Sequence, residues 1–207
     1  MNPVIGVTGA LGSGKSAVAR LLAENGARVV DMDEAGRWVV DHDPEVRRKL
    51  AEAFGDDIFD ENGQLRRRTL GERVFGDGAA LDRLNAAVHP AMVRRARQWL
   101  AEAQQAPACC TVVDAALLYE LGFDAFCDRV LLVEAPLDLC LQRAEQFKGL
   151  TREQALRRLA AQWPVEEKRL RADFVIVNDG SLQQLRKKVE HLLVELTSGD
   201  ERKDEGA

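Results

Sequence analysis

Eight residues near the amino end constrain this chain most: Gly9-Ala10-Leu11-Gly12-Ser13-Gly14-Lys15-Ser16 fits the pattern G-x-x-x-x-G-K-[ST]. The pattern follows an apolar run, Val4 to Thr8, and precedes Val18, Leu21 and Leu22 at helical spacing. A strand, a glycine-rich turn and a helix start in that order make an anion cradle, because successive backbone N–H groups curl around the anion and the helix N-terminus adds partial positive charge. Leu11, Gly12, Ser13, Gly14, Lys15, Ser16 and Ala17 are therefore expected to hold a nucleoside triphosphate. Lys15 would reach the β and γ phosphates, Ser16 would offer its oxygen to Mg²⁺, and the Ala17 N–H would lie near the α phosphate. A glycine-rich turn that binds nothing is the plainer alternative.

The rest of the chain alternates short apolar runs with helical-period runs, the mark of an α/β protein built on a buried parallel sheet. Strands are expected at Val4–Thr8, Arg28–Asp31, Cys110–Asp114, Arg129–Glu134 and Phe174–Asn178, enough for one doubly wound domain. The first helix should end near Asn25-Gly26, with Gly26 as a left-handed cap. A last helix should start at Ser181 on a capping box with Gln184, its stripe being Leu182, Leu185, Val189, Leu192, Leu193 and Leu196. The long stretch between strands two and three reads as an inserted helical subdomain, with helices at Glu45–Phe54, Thr69–Phe75 and Leu81–Leu100. A second insertion lies before strand five. There Thr151 with Gln154 opens a helix through Gln162, and Pro164 begins a shorter one. The boundaries that follow are a core of 1–33, 108–142 and 172–196, a helical subdomain of about 34–107, a lid of about 143–171, and a disordered tail of 197–207.

The chain has 207 residues and a formal net charge of -5, which excludes a protein whose task is to coat nucleic acid. Charge is uneven: the stretches Gln64–Arg73 and Arg143–Arg171 are net basic, and the tail is net acidic. Cys109, Cys110, Cys127 and Cys140 show no C-x-x-C spacing and no matching histidines, so they are expected to be reduced, mostly packing residues. With no basic residue before Lys15 and no apolar run near the ~20 residues that span a bilayer, a cytoplasmic protein without membrane partners is expected.

Binding a triphosphate leaves its fate open. A guanine-reading N-K-x-D is missing from the sequence. Strand two is followed by Asp31-Met32-Asp33, at the carboxyl edge where the phosphate loop also opens. A carboxylate there can take a proton from an attacking hydroxyl, which favours a small-molecule kinase. Asp33 is the expected base, and Asp31 is equally a strand-end or helix-capping residue. Asp114, at the end of strand three, stands where a carboxylate would hold the magnesium shell; an ordinary turn aspartate is the alternative.

With these pieces in place the chain resembles the dephospho-coenzyme A kinase family up to about Leu196. The matching segments are Gly9–Ser16; Val29-Val30-Asp31-Met32-Asp33; Gly63-Gln64-Leu65-Arg66-Arg67-Arg68-Thr69-Leu70 with Val74-Phe75; Leu84-Asn85 with His89-Pro90; Leu117-Leu118-Tyr119-Glu120; Gly149-Leu150-Thr151; and Ala161-Gln162, Lys168-Arg169 and Ala172 to Ile176 with Asn178. The resemblance implies a P-loop kinase-type sheet with a helical substrate-binding subdomain and a helical lid. It implies ATP-dependent phosphorylation of the ribose 3′-hydroxyl of dephospho-coenzyme A, with ATP as co-substrate, Mg²⁺, and a monomer or weak homo-oligomer. By position, Asp33 is the base, Arg67 and His89 belong to the substrate side, and Tyr119 and Glu120 face the acceptor. Arg143 meets the transferring phosphoryl, and Asn178 lies near the adenine. Here Ala116 replaces the usual proline, and Phe147-Lys148 replaces the usual Arg-Asp of the lid. Another small-molecule or nucleotide kinase of the same class is the alternative, and a nucleotide-sensing module that transfers nothing is a more distant one.

Overall fold

β-branched and leucine-rich runs that have no polar face are stable only where both sides of a sheet are covered. The computed structural model, which describes residues 2–74 and 77–198, puts five such runs in one sheet. They are β1 (Val4–Gly9), β2 (Arg28–Asp31), β3 (Thr111–Asp114), β4 (Arg129–Glu134) and β5 (Phe174–Val177), in the order β2-β3-β1-β4-β5. β1 runs parallel to β3, with Val7 opposite Asp114, and to β4, with Gly9 opposite Val133; β4 and β5 are also parallel. All residues of β1 and β3 are buried. The expected strands are thus recovered to within a residue, with Cys110 and Asn178 falling just outside them. Because β1 lies between β3 and β4, the crossovers leave it in opposite directions, and the crevice at its carboxyl end is where an open α/β sheet takes a ligand.

Helix α1 (Lys15–Glu24) turns Val18, Ala19, Leu21 and Leu22 onto Ile5, Val7, Val112, Leu131 and Val133. It stops where Gly26, at φ 91°, takes the left-handed conformation and donates its N–H to the Ala23 carbonyl at 3.0 Å. Helix α9 (Leu182–Ser198) closes this layer with Leu185, Val189 and Leu192, backed by Leu193 and Leu196. Leu182 departs from the expected stripe, being 55% exposed in the first turn. The Ser181–Gln184 capping box forms as expected. α9 also takes in residues 197 and 198, which the sequence assigns to a disordered tail; the rest of that tail, 199–207, lies outside the described residues.

Three further helices follow β4: α6 (Leu137–Lys148), α7 (Arg152–Ala160) and α8 (Val165–Arg171). The expected box caps α7, with the Gln154 N–H donating to Thr151 Oγ1 and the Thr151 N–H to Gln154 Oε1. α7 ends at Ala160, short of the expected Gln162, because the Gln162 N–H turns back onto the Leu159 carbonyl and Pro164 follows. α6 is unbroken across residue 143, so Arg143 sits inside a helix.

The chain divides into two compact units, Met1–Val30 with Ala103–Ala207, and Asp31–Glu102. In the second, α3 (Pro44–Phe54), α4 (Arg67–Val74) and α5 (Gly78–Gln104) answer the three expected helices. Phe75, the expected end of the middle one, lies outside the described residues. A helix that periodicity left unassigned precedes them, α2 (Met32–His42), burying Met32, Ala35, Val39 and Val40. α5 runs straight through Pro90, although proline commonly breaks a helix. Proline removes the bond to the Ala86 carbonyl, but Ala86 and Pro90 are both exposed, on the side open to water, while Ala87, Ala91, Ala96 and Leu100 hold the buried face.

Leu22 is fully buried beneath the sheet, and Leu22→Ala is expected to cost about 2–5 kcal/mol in urea unfolding with an unchanged m-value. Burial lowers the pKa of the half-buried His89 below its ordinary value of 6.5. The unfolded chain then binds the proton first as pH falls, so His89 contributes a loss of stability that begins below about pH 6.5 and is absent above it. Melting curves between pH 7.5 and 5.5 should fall less steeply for His89→Gln than for the wild-type protein; equal slopes would refute this.

Candidate functional site

The phosphate loop is shaped from behind. Gly12 and Gly14 have φ of 80° and 94°, conformations that L side chains rarely adopt. A Cβ on Gly12 would stand 2.2 Å from the Cys140 carbonyl oxygen, and one on Gly14 would stand 2.1 Å from Asn178 Nδ2. Packing against α6 and the residue after β5 therefore demands these glycines, whatever the loop binds. The Asn178 side chain is 6% exposed and donates from Nδ2 to the Ser13 carbonyl at 2.8 Å. Arg143 Nη1 lies against the same residues, 3.1 Å from the Asn178 carbonyl and 3.5 Å from those of Gly12 and Ser13. Asn178, expected near a base, thus spends its amide on the loop, and a guanidinium is fixed beside the cradle.

Several loop donors already have protein acceptors. The Leu11 N–H donates to Gln162 Oε1 at 3.2 Å, that of Ser13 to the Ala10 carbonyl at 3.0 Å, and that of Ala17 to the Gly14 carbonyl at 2.9 Å. Among the described residues, the N–H groups of Gly12, Gly14, Lys15 and Ser16 have no such acceptor, since the first turn of α1 leaves its donors unused. The Leu11 side chain packs against Leu141, Ala144 and Ala155 of α6 and α7.

Lys15 Nζ is ion-paired with Asp114 Oδ1, the two side chains being 11% and 5% exposed. Asp114 is the last residue of β3, opposite Val7 of β1, so the sheet register delivers the carboxylate to the loop. These residues fit Mg²⁺: the buried Asp114 carboxylate already accepts a cation from Lys15, and the Ser16 hydroxyl adds a second hard oxygen. Among the described residues there is no cluster of three or more His, Cys, Asp or Glu side chains to suggest a metal held by protein alone.

Tyr119 and Glu120 are both held by the segment that precedes β5. Tyr119 is buried and stacks on Trp163, with centroids 5.9 Å apart, and burial pushes its hydroxyl up to about 12. Glu120 Oε1 accepts from the Trp163 N–H at 2.7 Å and pairs with Lys168 Nζ at 2.9 Å. Burial likewise pushes Cys110 and Cys127 up to about 12, so these thiols are packing groups; Cys109 is exposed.

In the second unit, Asp31 caps α2: its Oδ1 accepts from the N–H groups of Asp33 at 2.7 Å and Glu34 at 3.2 Å. The capping alternative for Asp31 is the observed one. Asp33 is thereby held in the first helical turn with its carboxylate exposed. Arg67 Nη2 straddles both oxygens of Asp41, at 3.0 and 2.9 Å, and His89 lies half-buried on α5. Sequence reading gave no role to Gln162, Trp163 or Lys168. A Lys-Arg pair on a short amphipathic helix reads as solvated, and only the fold shows that Lys168 is 1% exposed.

The family model of dephospho-CoA kinases matches residues 3–184. The dephospho-CoA kinase of Deinococcus radiodurans is 44% identical over 192 residues, covering 93% of this chain and 91% of its own. That of Anaeromyxobacter dehalogenans is 40% identical over 196 residues, covering 95% and 93%. Among solved structures, TT1252 of Thermus thermophilus superposes with a TM-score of 0.74 at 36% identity, covering 95% of this chain and 99% of its own. The Bacteroides thetaiotaomicron shikimate kinase, at 16% identity and a TM-score of 0.52 over 95% and 99%, shares the fold alone. With the loop, the sheet order and near full-length identity in agreement, the chain belongs to the dephospho-CoA kinase family.

Proposed function

We propose that this protein transfers the γ-phosphoryl group of ATP to the ribose 3′-hydroxyl of dephospho-coenzyme A, giving coenzyme A and ADP, the last step of coenzyme A synthesis. The observation that carries the reading is the buried Lys15–Asp114 pair beside the phosphate loop of a chain with this family membership. In the reaction the 3′-O–H bond breaks, an O–P bond forms in line with the departing β-phosphate oxygen, and the hydroxyl proton passes to Asp33. Lys15 and the N–H groups of Gly12, Gly14, Lys15 and Ser16 hold the β and γ phosphates. Arg143, fixed beside Gly14 by backbone carbonyls, faces the charge that spreads over the moving phosphoryl group. Ser16 and Asp114 would hold Mg²⁺, which when bound supplies positive charge against the phosphate oxygens.

In this reading residues of about 34–107, with Arg67 and His89, take the acceptor, and 143–171 act as a lid that excludes water from the sheet core of 1–33, 108–142 and 172–196. Asn178 orients the loop, with the backbone after it at the adenine. Tyr119 presents its ring and hydroxyl on the acceptor side, and Glu120 holds the segment that carries it. Phe147, 73% exposed, leaves the cationic work of the lid to Arg143 and Lys148. In this reading the protein acts on small molecules in the cytoplasm as a monomer or weak homo-oligomer; its four cysteines are free, as thiols are in a reducing compartment.

Phosphoryl transfer from ATP should require dephospho-coenzyme A in an acceptor panel that includes shikimate and nucleosides; transfer to another acceptor in its place would move the chain to the alternative kinase class. Asp33→Asn should lower kcat by about 10²–10⁴-fold with ATP affinity retained, and full activity in that variant would remove Asp33 as base. Lys15→Met takes the cation away from the buried Asp114 carboxylate and should cost about 3–5 kcal/mol of ligand-free stability. Adding Asp114→Asn should recover most of that stability in a melting experiment and none of the activity.

A further inference from the structure

The turn between α7 and α8 touches the phosphate loop and the segment after β3 at once. Gln162 Oε1 accepts from the Leu11 N–H at 3.2 Å, and the next residue, Trp163, donates its N–H to Glu120 Oε1 at 2.7 Å. Five residues on, the buried Lys168 ammonium meets Glu120 Oε1 at 2.9 Å and the Ala116 carbonyl at 2.7 Å. One carboxylate oxygen thus joins the turn to α8, while Glu120 Oε2 is buried with no hydrogen-bond partner among the described residues. Such a pair is a poor device for stability alone, because desolvating two charges offsets most of their attraction and leaves one acceptor unsatisfied. Its effect is geometric: it fixes the backbone at residue 163, and therefore where Gln162 points.

We propose that Lys168 and Glu120 are positioning residues for phosphoryl transfer, acting through Gln162, which holds the Leu11 N–H and with it the apex of the phosphate loop. Leu11 is held from two sides, by Gln162 on its N–H and by Leu141, Ala144 and Ala155 around its side chain. Releasing the Gln162 side leaves the apex held only by the packing of the Leu11 side chain and lets its backbone shift. A loop displaced by an ångström weakens its grip on the triphosphate and spoils in-line geometry. The same linkage makes α8 the fixed foot of the 143–171 segment, leaving closure to its other parts.

The inference rests on the kinase reading for its kinetic readout, so the test adds one that does not. Gln162→Ala, Lys168→Met and the apolar pair Glu120→Leu/Lys168→Met are compared with wild type by melting temperature, by steady-state transfer to dephospho-coenzyme A, and by calorimetric Kd for a non-hydrolysable ATP analogue. Gln162→Ala should melt like wild type, bind the analogue several-fold more weakly, and lose up to about 10²-fold in kcat/KM for ATP, with a smaller change in the acceptor KM. Lys168→Met should show the same kinetic defect with lowered stability. The apolar pair should regain melting temperature without regaining kcat. Wild-type Kd and kcat in Gln162→Ala would overturn the proposal, as would full turnover in a stable apolar pair. If the apolar pair does not fold, Gln162→Ala decides alone. Should the wild-type protein prove inactive on dephospho-coenzyme A, the kinase reading fails while the analogue Kd still judges the link.

Discussion

One hydrogen bond sets the geometry on which the rest of the site depends. Asn178, just past β5, donates its amide to the Ser13 carbonyl, and the space it fills leaves no room for a Cβ on Gly14. The loop after β1 is thus held by the far end of the sheet, and its donors are aimed before any anion arrives. Preorganised donors are worth more than flexible ones because their ordering entropy is already lost on folding. The same constraint accounts for Arg143, whose Nη1 rests on the Asn178, Gly12 and Ser13 carbonyls.

Charge is arranged around that loop so that each cation has a local partner. Lys15 is paired with Asp114 at the end of β3, and Lys168 with Glu120 after it. The first pair lies beside the phosphate loop, and in the proposed reaction Lys15 would meet the phosphates and Asp114 would hold Mg²⁺. The second lies beyond the loop and ties backbone to backbone. Exposed pairs such as Arg68–Glu72 and Arg48–Glu52 span one helical turn each and contribute little by comparison.

Much of this was legible before any coordinates. Strands with no polar face, a glycine motif between a strand and a helix, and the Thr151–Gln154 box are local patterns whose physics is complete within a few residues. Other features were decided only in the folded chain. For Asp31 the sequence left a capping role beside a chemical one, and the folded chain shows it accepting from the N–H groups at the N-terminus of α2. Pro90 is tolerated inside α5 because Ala86 and Pro90 are exposed while the opposite helix face is buried. The partners of Glu120, the Trp163 N–H and Lys168, lie more than 40 residues along the chain and only the fold brings them to it.

The sequence by itself determined the α/β class, the five strands to within a residue, the phosphate loop and the family, because each depends on patterning at short range or on the order of such patterns. Only the tertiary structure decided which donors of the loop remain for an anion, why Gly12 and Gly14 must be glycine, and that Asn178, Gln162 and Lys168 support the loop. Those facts depend on distances between residues up to 165 positions apart in the chain. Burial turns the same lysine or amide from a solvated group into a fixed one, and burial is a property of the fold.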